Sequence, residues 1–145
     1  GGDYMLGDSV TSIDIENGRA SKVYTLNHGD KPFVGNNVVL ATGSFFSQGL
    51  IATRDRIIEP ILDLDVDYKE YRENWYTRNF FEPQNYQTFG VKSDNSFKVQ
   101  KQGNTINNMY AIGAVLSNFN PMKEGCGSGV SILTALHVAD EILKD

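Results

Sequence analysis

The chain has 145 residues, 40% of them hydrophobic and 21% charged, which is typical of a globular domain that can bury a core. Its net charge of −5, without clustered Lys or Arg, argues against nucleic acid as a partner. No apolar stretch approaches the ~20 residues of a membrane span, and no secretory signal is visible. The single cysteine, Cys126, excludes an internal disulfide and a multi-cysteine zinc site. These features predict a cytoplasmic protein with no metal centre.

The first predicted elements are a β-hairpin and a buried strand. Residues 10–15 and 20–26 are β-prone runs separated by Asn17-Gly18, and Asn-Gly is a strong hairpin signal because both positions tolerate positive φ. Residues 38–41 form a short, continuously apolar run that ends at Thr-Gly. This pattern is typical of a strand buried on both faces of a parallel sheet.

The middle of the chain gives weaker signals. Residues 63–68 alternate like a strand, and the surrounding segment is interpreted as an inserted cap. A second hairpin is predicted between residues 86–91 and 96–100, around Ser93-Asp94-Asn95. Residues 109–112 are a second short buried strand, which ends at Gly113.

The last predicted element is an amphipathic helix, because apolar residues recur at helical spacing. They are Ile132, Leu133, Leu136, Ala139, Ile142 and Leu143. The chain is thus divided into a hairpin and core strand, a cap or substrate-side region, and a return strand with the glycine-rich loop and helix. The corresponding ranges are 1–43, 44–100 and 101–145.

A glycine-rich loop immediately precedes this helix. Gly125, Gly127 and Gly129 leave the backbone bare where the first N–H groups of a helix lack partners and the dipole is positive. Such a loop can hold an anion or a polar ring edge, and Ser128 can cap the helix or donate a hydroxyl. Tight packing of the loop is an equally valid explanation. Val130 follows Gly129, so neither a Walker loop nor a G-x-G-x-x-G fingerprint is present.

Three segments, in this order, resemble the second half of a two-dinucleotide-fold flavoprotein. They are the apolar strand ending Ala41-Thr42-Gly43, the strand Tyr110-Ala111-Ile112-Gly113, and the GCGSG loop with its helix. Longer stretches are similar to the B subunit of anaerobic glycerol-3-phosphate dehydrogenases. These stretches are LATGSFFSQGL, RDRIIEPI, GAVL, and Asn-Pro followed by EGCGSGV.

The resemblance implies a flavoprotein subunit, with FMN or FAD, of an enzyme that oxidises sn-glycerol 3-phosphate to dihydroxyacetone phosphate. Electrons would pass to quinone through catalytic and iron–sulfur partner subunits, and those partners would hold the complex at the inner face of the cell membrane. The expected fold is α/β: the C-terminal part of an FAD/NAD(P)-binding, Rossmann-like flavoprotein. The hairpin, the cap and the C-terminal helix are its elements.

The chain departs from that family in two places. It lacks an opening strand, G-x-G-x-x-G turn and helix, which predicts a C-terminal portion of a longer chain. The sheet edges exposed by that loss predict a homodimer. Ala114 stands where related flavoproteins carry an acid that holds a flavin side-chain hydroxyl. This absence keeps a second hypothesis open, in which the chain is a non-catalytic assembly module.

The resemblance also assigns candidate residues. The expected flavin contacts are Ala41, Thr42, Gly43, Gly113, Gly125, Gly127, Ser128, Gly129 and Val130. Arg54 and Arg56 are candidate clamps for a phosphorylated substrate. No general base is assigned. The other candidates each have an ordinary structural explanation. Glu124 can cap a helix, His137 can be a packed histidine, and Cys126 can be a small side chain in a tight loop. His28 is a loop residue without an evident partner, and Trp75 with its neighbouring tyrosines can form a satellite core.

Overall fold

The computed structural model describes residues 2–144, which form short strands, single-turn 3-10 helices and one long helix. The strands are β1 (Val10–Glu16), β2 (Arg19–Thr25), β3 (Val38–Leu40), β4 (Ile51–Ala52), β5 (Ile57–Ile58), β6 (Val66–Asp67), β7 (Gly90–Val91), β8 (Lys98–Lys101) and β9 (Asn104–Ala111). The α-helices are α1 (Pro121–Glu124) and α2 (Gly127–Lys144). The 3-10 helices are Phe45–Ser47, Arg72–Asn74, Asn85–Thr88 and Gly113–Val115. The α/β class predicted from the sequence is confirmed.

The predicted first hairpin is confirmed. β1 and β2 pair antiparallel, and the turn residues Asn17 and Gly18 both have positive φ, at 51° and 71°. Positive φ at both positions gives the turn a twist that matches the twist of paired strands. Its inward residues Ile13 and Ala20 are buried in the core. Sequence alone therefore located this element to within one residue at each end.

The two predicted short apolar strands are both present, and they lie side by side. β3 and β9 are parallel, with Leu40 opposite Ala111, and β8 completes the sheet on the far side of β9. β9 is buried on both faces: Met109, Tyr110 and Ala111 are fully inaccessible. The prediction of two-face burial is wrong for β3 within the described residues, since the Val39 side chain is 41% exposed.

The predicted second hairpin is wrong in its first strand. Residues Asn85–Thr88 form a 3-10 helix, and β7 pairs with β6 rather than with β8. The reason is local: Gln84 and Gln87 exchange side-chain and backbone hydrogen bonds in a capping box that favours a helical turn. Only one antiparallel bridge, Ser93 to Val99, remains of the predicted pairing.

β8 instead forms a hairpin with β9, which sequence reasoning missed. The turn lies at Gln102 and Gly103, where φ is 51° and 76°. The Asp65 carboxylate accepts hydrogen bonds from both of their N–H groups, at 2.9 and 2.7 Å. This contact across 37 residues also shortens the strand predicted over residues 63–68, of which only Val66–Asp67 is regular.

The C-terminal helix is confirmed, but its apolar stripe does not face the core. Thr134 and Val138 are the buried residues of α2. The stripe residues Ile132, Leu133, Leu136 and Leu143 are 61%, 68%, 60% and 83% exposed. The side of the helix that faces the core carries Thr134, whose hydroxyl accepts a hydrogen bond from the Gly113 N–H in the turn after β9. No described helix combines the length and apolarity needed to cross a bilayer.

Candidate functional site

The parallel pairing of β3 and β9 brings two of the predicted turns to one edge of the sheet. The Ile112 N–H donates to the Leu40 carbonyl at 3.0 Å, so β3 and β9 end next to each other at the same edge of the sheet. Gly43 has φ of +73°, and a Cβ there would clash with Ser47 Oγ, so glycine is required at this position. Thr42 Oγ1 is buried without a hydrogen-bond partner in the described part of the chain. A buried hydroxyl of this kind needs a partner, and a ligand can supply it.

A single hydroxyl fixes α2 against the β9 turn. The Gly113 N–H donates to Thr134 Oγ1 at 2.9 Å, and Thr134 Oγ1 donates to the Val130 carbonyl at 2.6 Å. Gly113 has φ of +70° and approaches Ser131 closely, so the backbone of the turn packs against a side chain of the helix. The amide of Gly113 is occupied by this contact. Gly113 can therefore let a ligand approach the backbone closely, but its N–H cannot donate a hydrogen bond to that ligand.

The glycine-rich segment differs from the predicted loop, because α2 already begins at Gly127. The Val130 N–H donates to the Cys126 carbonyl at 2.8 Å, which makes Cys126 the capping position. The prediction that Ser128 caps the helix is therefore wrong, since Ser128 lies inside the first turn. The Val130 amide is also occupied. Within residues 2–144, the amides of Gly127, Ser128 and Gly129 have no protein acceptor.

The structure separates the two explanations of these glycines. Gly125 is explained by geometry, because it ends α1 in the left-handed conformation, with φ of +60°. Gly127 and Gly129 are not explained by packing. A Cβ on Gly127 would meet Pro121 at an ordinary 3.6 Å, and one on Gly129 would meet nothing within 4 Å among the described residues. The space that a Cβ on Gly129 would fill is open among the described residues.

These features together fit a flavin. Three unpaired amides at the positive end of an 18-residue helix, without an acidic residue in its first turn, favour an electron-rich ring edge. The unpartnered Thr42 hydroxyl and the open backbone at Gly129 add a polar contact and room for a planar group. The Thr42 hydroxyl lies just past the carboxyl end of a parallel strand, the usual ligand position in α/β folds.

A large cavity, the aromatic cavity, lies next to these turns. It encloses about 990 Å³ and begins at Ser44 and Ala114, each the residue directly after a predicted flavin-contacting turn. Its opposite wall comes from the cap region, residues 76–89, and α1 contributes a third side. Most of its walls are apolar, including Phe46, Tyr76, Phe80, Phe81, Tyr86 and Met122. Sequence analysis missed it; the adjacent, exposed Phe80 and Phe81 were the available signal.

The two arginines assigned to substrate lie outside the aromatic cavity. Arg56 Nη1 is 3.6 Å from the Asp63 carboxylate, and both side chains are more than half exposed. Arg54 is exposed, and its carbonyl accepts a hydrogen bond from Arg72 at 3.1 Å. Neither residue lines the cavity. Their role in substrate binding stays a prediction.

Ordinary structural roles account for the carboxylate and thiol candidates. Glu124 accepts the Asn120 N–H at 3.1 Å, so this carboxylate caps α1. Cys126 Sγ lies 3.5 Å from Glu124 Oε2; burial and this hydrogen bond raise the pKa of the thiol above its ordinary value. A raised pKa leaves the thiol protonated at neutral pH, which makes it a poor nucleophile.

The histidines and Trp75 are also part of the framework. The His137 ring packs edge-on against Phe97, with centroids 5.3 Å apart. The expectation that His28 lacks a partner is wrong, since its Nδ1 is 2.9 Å from Asp8 Oδ2. Trp75 is buried and contacts the rings of Tyr68 and Phe89, but it belongs to the main core cluster, so the expectation of a separate satellite core is wrong. Tyr71 and Tyr76 are exposed and stand outside it.

Comparison with known proteins identifies the family of the chain. The family described as "FAD binding domain" matches residues 1–130. A Yersinia pestis bv. Antiqua protein, named as the B subunit of anaerobic glycerol-3-phosphate dehydrogenase, is 45% identical over 145 residues, covering all of this chain and 34% of the relative. Proteins of the same name from Pectobacterium atrosepticum and Actinobacillus succinogenes are 45% identical over 145 and 149 residues, 100% and 99% of this chain.

The chain therefore spans about a third of the length of the curated relatives it matches, 34% and 35% of the two latter proteins. No solved structure matches it. The resemblance seen in its ATGSFFS and EGCGSG stretches is confirmed by these relatives. On the family match, which covers most of its length, the chain belongs to the FAD binding domain family.

Proposed function

We propose that this chain is the part of a flavin-dependent dehydrogenase that faces the flavin ring, and that the whole protein oxidises sn-glycerol 3-phosphate to dihydroxyacetone phosphate. The observation that carries the proposal is the set of amides of residues 127–129, which have no protein acceptor within residues 2–144 at the positive end of α2. The substrate is taken from the names of the relatives.

The residues of this chain contribute binding and electrostatics. The Ala41-Thr42-Gly43 turn, at the carboxyl end of β3, would lie beneath the ring. The amides of Gly127, Ser128 and Gly129 stabilise negative charge at the ring edge, because a fixed helix end needs no reorganisation. When bound, a flavin supplies the two-electron chemistry. Gly113 and Gly125 shape the approach to it through positive φ, and Val130 anchors the first turn through its bonded amide.

FAD is the flavin that the family description specifies, and we propose it ahead of FMN. Ala114 lines the aromatic cavity and offers no carboxylate to a flavin side chain. The remaining contacts to that side chain must then come from elsewhere in the intact protein. Chromatography of the flavin released by denaturing the intact protein distinguishes FAD from FMN.

The route of the electrons is a further part of the proposal. We propose that the flavin passes electrons to quinone through a catalytic and an iron–sulfur partner subunit, which hold the complex at the cytoplasmic face of the membrane. The subunit designation in the relatives' names supports the existence of partners. We also propose that this segment self-associates when isolated, because the outer edge of β3 is unpaired within the described residues.

A second candidate function is assembly without catalysis. The exposed apolar stripe of α2, in which Leu143 is 83% accessible, favours it, since such a surface marks a contact with other protein. The absence of an assigned general base points the same way. In this alternative the chain organises catalytic and electron-transfer subunits and does not need a reducible flavin.

Anaerobic mixing of the intact, flavin-saturated protein with sn-glycerol 3-phosphate tests the proposal. We expect the flavin absorbance to bleach with phosphorylated substrate and to stay unchanged with glycerol. An intact protein that purifies colourless in saturating flavin, or whose flavin stays oxidised, contradicts the proposal and favours the assembly role.

A further inference from the structure

Two positive side chains, Arg78 and Lys123, line the aromatic cavity without a carboxylate partner among the described residues. We propose that they bind the phosphate monoester of the substrate, with the carbon chain directed along the apolar wall toward the flavin-facing turns. The inference rests on the proposed function and deepens it, because it moves the phosphate clamp from Arg54 and Arg56 to a different pair.

Arg78 sits on a loop held by one buried amide. Gln84, only 8% exposed, accepts the Thr77 N–H at 2.8 Å through Oε1. Its Nε2 lies 2.8 Å from Thr77 Oγ1 and 2.9 Å from the carbonyls of Asn79 and Glu82. These contacts close the loop around Arg78 from both sides. The guanidinium is therefore carried by a fixed backbone rather than by a free surface segment.

Lys123 is placed by an equally well-bonded turn. Asn120, 6% exposed, accepts the N–H groups of Met122 and Lys123 at 3.1 and 3.0 Å and so caps α1. Asn120 Nδ2 also donates to Gln87 Oε1 at 3.0 Å, and the Gln84 N–H lies 3.4 Å from the same oxygen. A buried amide network thus joins the Arg78 loop to the Lys123 turn. It fixes the two backbone segments that carry the cations relative to each other.

The charges of the cavity fit a dianion. In the described part of the chain, neither Arg78 nor Lys123 has a carboxylate oxygen within 4.0 Å. One acid, Glu82, lines the same cavity, and its carboxylate accepts a hydrogen bond from Asn79 Nδ2 at 3.4 Å. The lining therefore carries one more positive than negative charge in a chain whose net charge is −5.

The chemistry of the two side chains suits a phosphate group. Arg78 and Lys123 are exposed, so a ligand can reach them, and hydrogen bonds from charged donors to phosphate oxygens are roughly twice as strong as neutral ones. Arg offers a fork that matches two phosphate oxygens, and Lys adds a point charge on a flexible stem. Arg56, by contrast, is already paired with Asp63. The absence of a carboxylate partner favours the cavity pair.

The test uses the intact, flavin-saturated protein and the variants Arg78→Gln and Lys123→Gln. Lys92→Gln, an exposed position outside the cavity, is the matched control. Equilibrium binding of inorganic phosphate and of sn-glycerol 3-phosphate is measured, with flavin occupancy recorded in parallel. We expect each cavity variant to weaken both ligands by on the order of tenfold or more, with flavin occupancy unchanged. The control and the weak binding of glycerol should not change.

Three outcomes would overturn the inference. Unchanged affinity for both ligands in both variants would show that Arg78 and Lys123 do not bind the phosphate group. Loss of flavin instead of substrate would show that the cavity binds the phosphate of FMN. Loss of partner subunits with substrate affinity intact would make the cavity a protein-docking surface. Reduction of the wild-type flavin is scored separately, so phosphate binding without bleaching ends the proposed function while supporting the clamp.

Discussion

Replacing Gly129 by alanine should change protein stability and flavin binding in opposite directions. Gly129 lies in the first turn of α2 with a helical backbone, and an added methyl group meets nothing within 4 Å in the described fold. Alanine in place of a helical glycine stabilises a protein by about 0.5–1 kcal/mol, because it reduces the freedom of the unfolded chain. The flavin-free variant should therefore be more stable than the wild type.

The same methyl group occupies the open space that we assign to the flavin ring. Displacing the ring from one free amide removes a hydrogen bond worth about 0.5–1.5 kcal/mol, and poorer packing of the displaced ring adds to this cost. A loss of ~1.4 kcal/mol is a tenfold loss of affinity. We expect Gly129→Ala to weaken flavin binding by roughly three- to tenfold, and Gly129→Leu by more than about tenfold.

Urea denaturation of the flavin-free intact protein and equilibrium flavin titration measure the two effects. Asp140→Ala is the matched control, because it also improves helix propensity but lies on exposed helix far from the first turn. It should raise stability and leave flavin binding unchanged. If Gly129→Leu binds flavin as tightly as the wild type, the amides of this turn do not contact the ring.

Three further predictions concern the framework. Trp75→Ala should lower the free energy of unfolding by about 3–5 kcal/mol, since it empties the core next to Phe89; a loss below about 1 kcal/mol by urea denaturation would show that this core is not cooperative. Gly43→Ala should cost more than about 1 kcal/mol, because of positive φ and the clash with Ser47, and wild-type stability would refute the assigned turn. Burial opposes ionisation of Asp8, but hydrogen bonds from Thr25, Asn27, Ser9 and His28 outweigh it and hold its pKa at about 2, below the ordinary value of 3.8. The folded state therefore binds a proton at Asp8 less readily than the unfolded chain does. The contribution of this carboxylate to the free energy of unfolding is complete above about pH 4 and is lost as the pH falls toward 2. Asp8→Asn should remove that part of the acid dependence; an unchanged acid-unfolding curve would contradict the assignment.

Local signals in the sequence were sufficient for the elements that depend on local interactions. The Asn17-Gly18 turn needs only its own two residues, so the first hairpin was correctly predicted. The apolar runs of residues 38–41 and 109–112 predicted two short buried strands, and both are strands in the structure. That these two strands pair with each other was not predicted. The division of the chain at residues 43 and 100 stays a prediction.

Other elements were not predicted, because either a local capping interaction or a distant side chain decides them. The run that begins at Tyr86 has strand-like composition, yet the amides of Gln84 and Gln87 hold it in a helical turn. The β8–β9 hairpin depends on the Asp65 carboxylate, which lies 37 residues from its turn along the chain. The periodicity of α2 identifies a helix with an apolar stripe but does not show what covers that stripe. Only the three-dimensional structure shows that the side of α2 facing the core carries Thr134 rather than this stripe.

The candidate site was predicted in its parts but not in its arrangement. Sequence spacing singled out the glycines of the last loop, whereas the structure shows that packing does not require Gly127 or Gly129. The aromatic cavity joins residues from Ser44 to Lys123, and no local pattern links segments so far apart. The cations assigned from sequence, Arg54 and Arg56, were chosen by proximity along the chain. The lining of the aromatic cavity in the folded structure contains another pair, Arg78 and Lys123.

A crystal structure of the intact, flavin-loaded protein tests the central claim most directly. The account predicts an acceptor atom of the flavin ring within about 2.7–3.2 Å of at least one amide nitrogen among residues 127–129. It also predicts the Ala41-Thr42-Gly43 turn beneath the same ring. A flavin ring bound elsewhere, or these amides bonded to side chains from another segment, would contradict it.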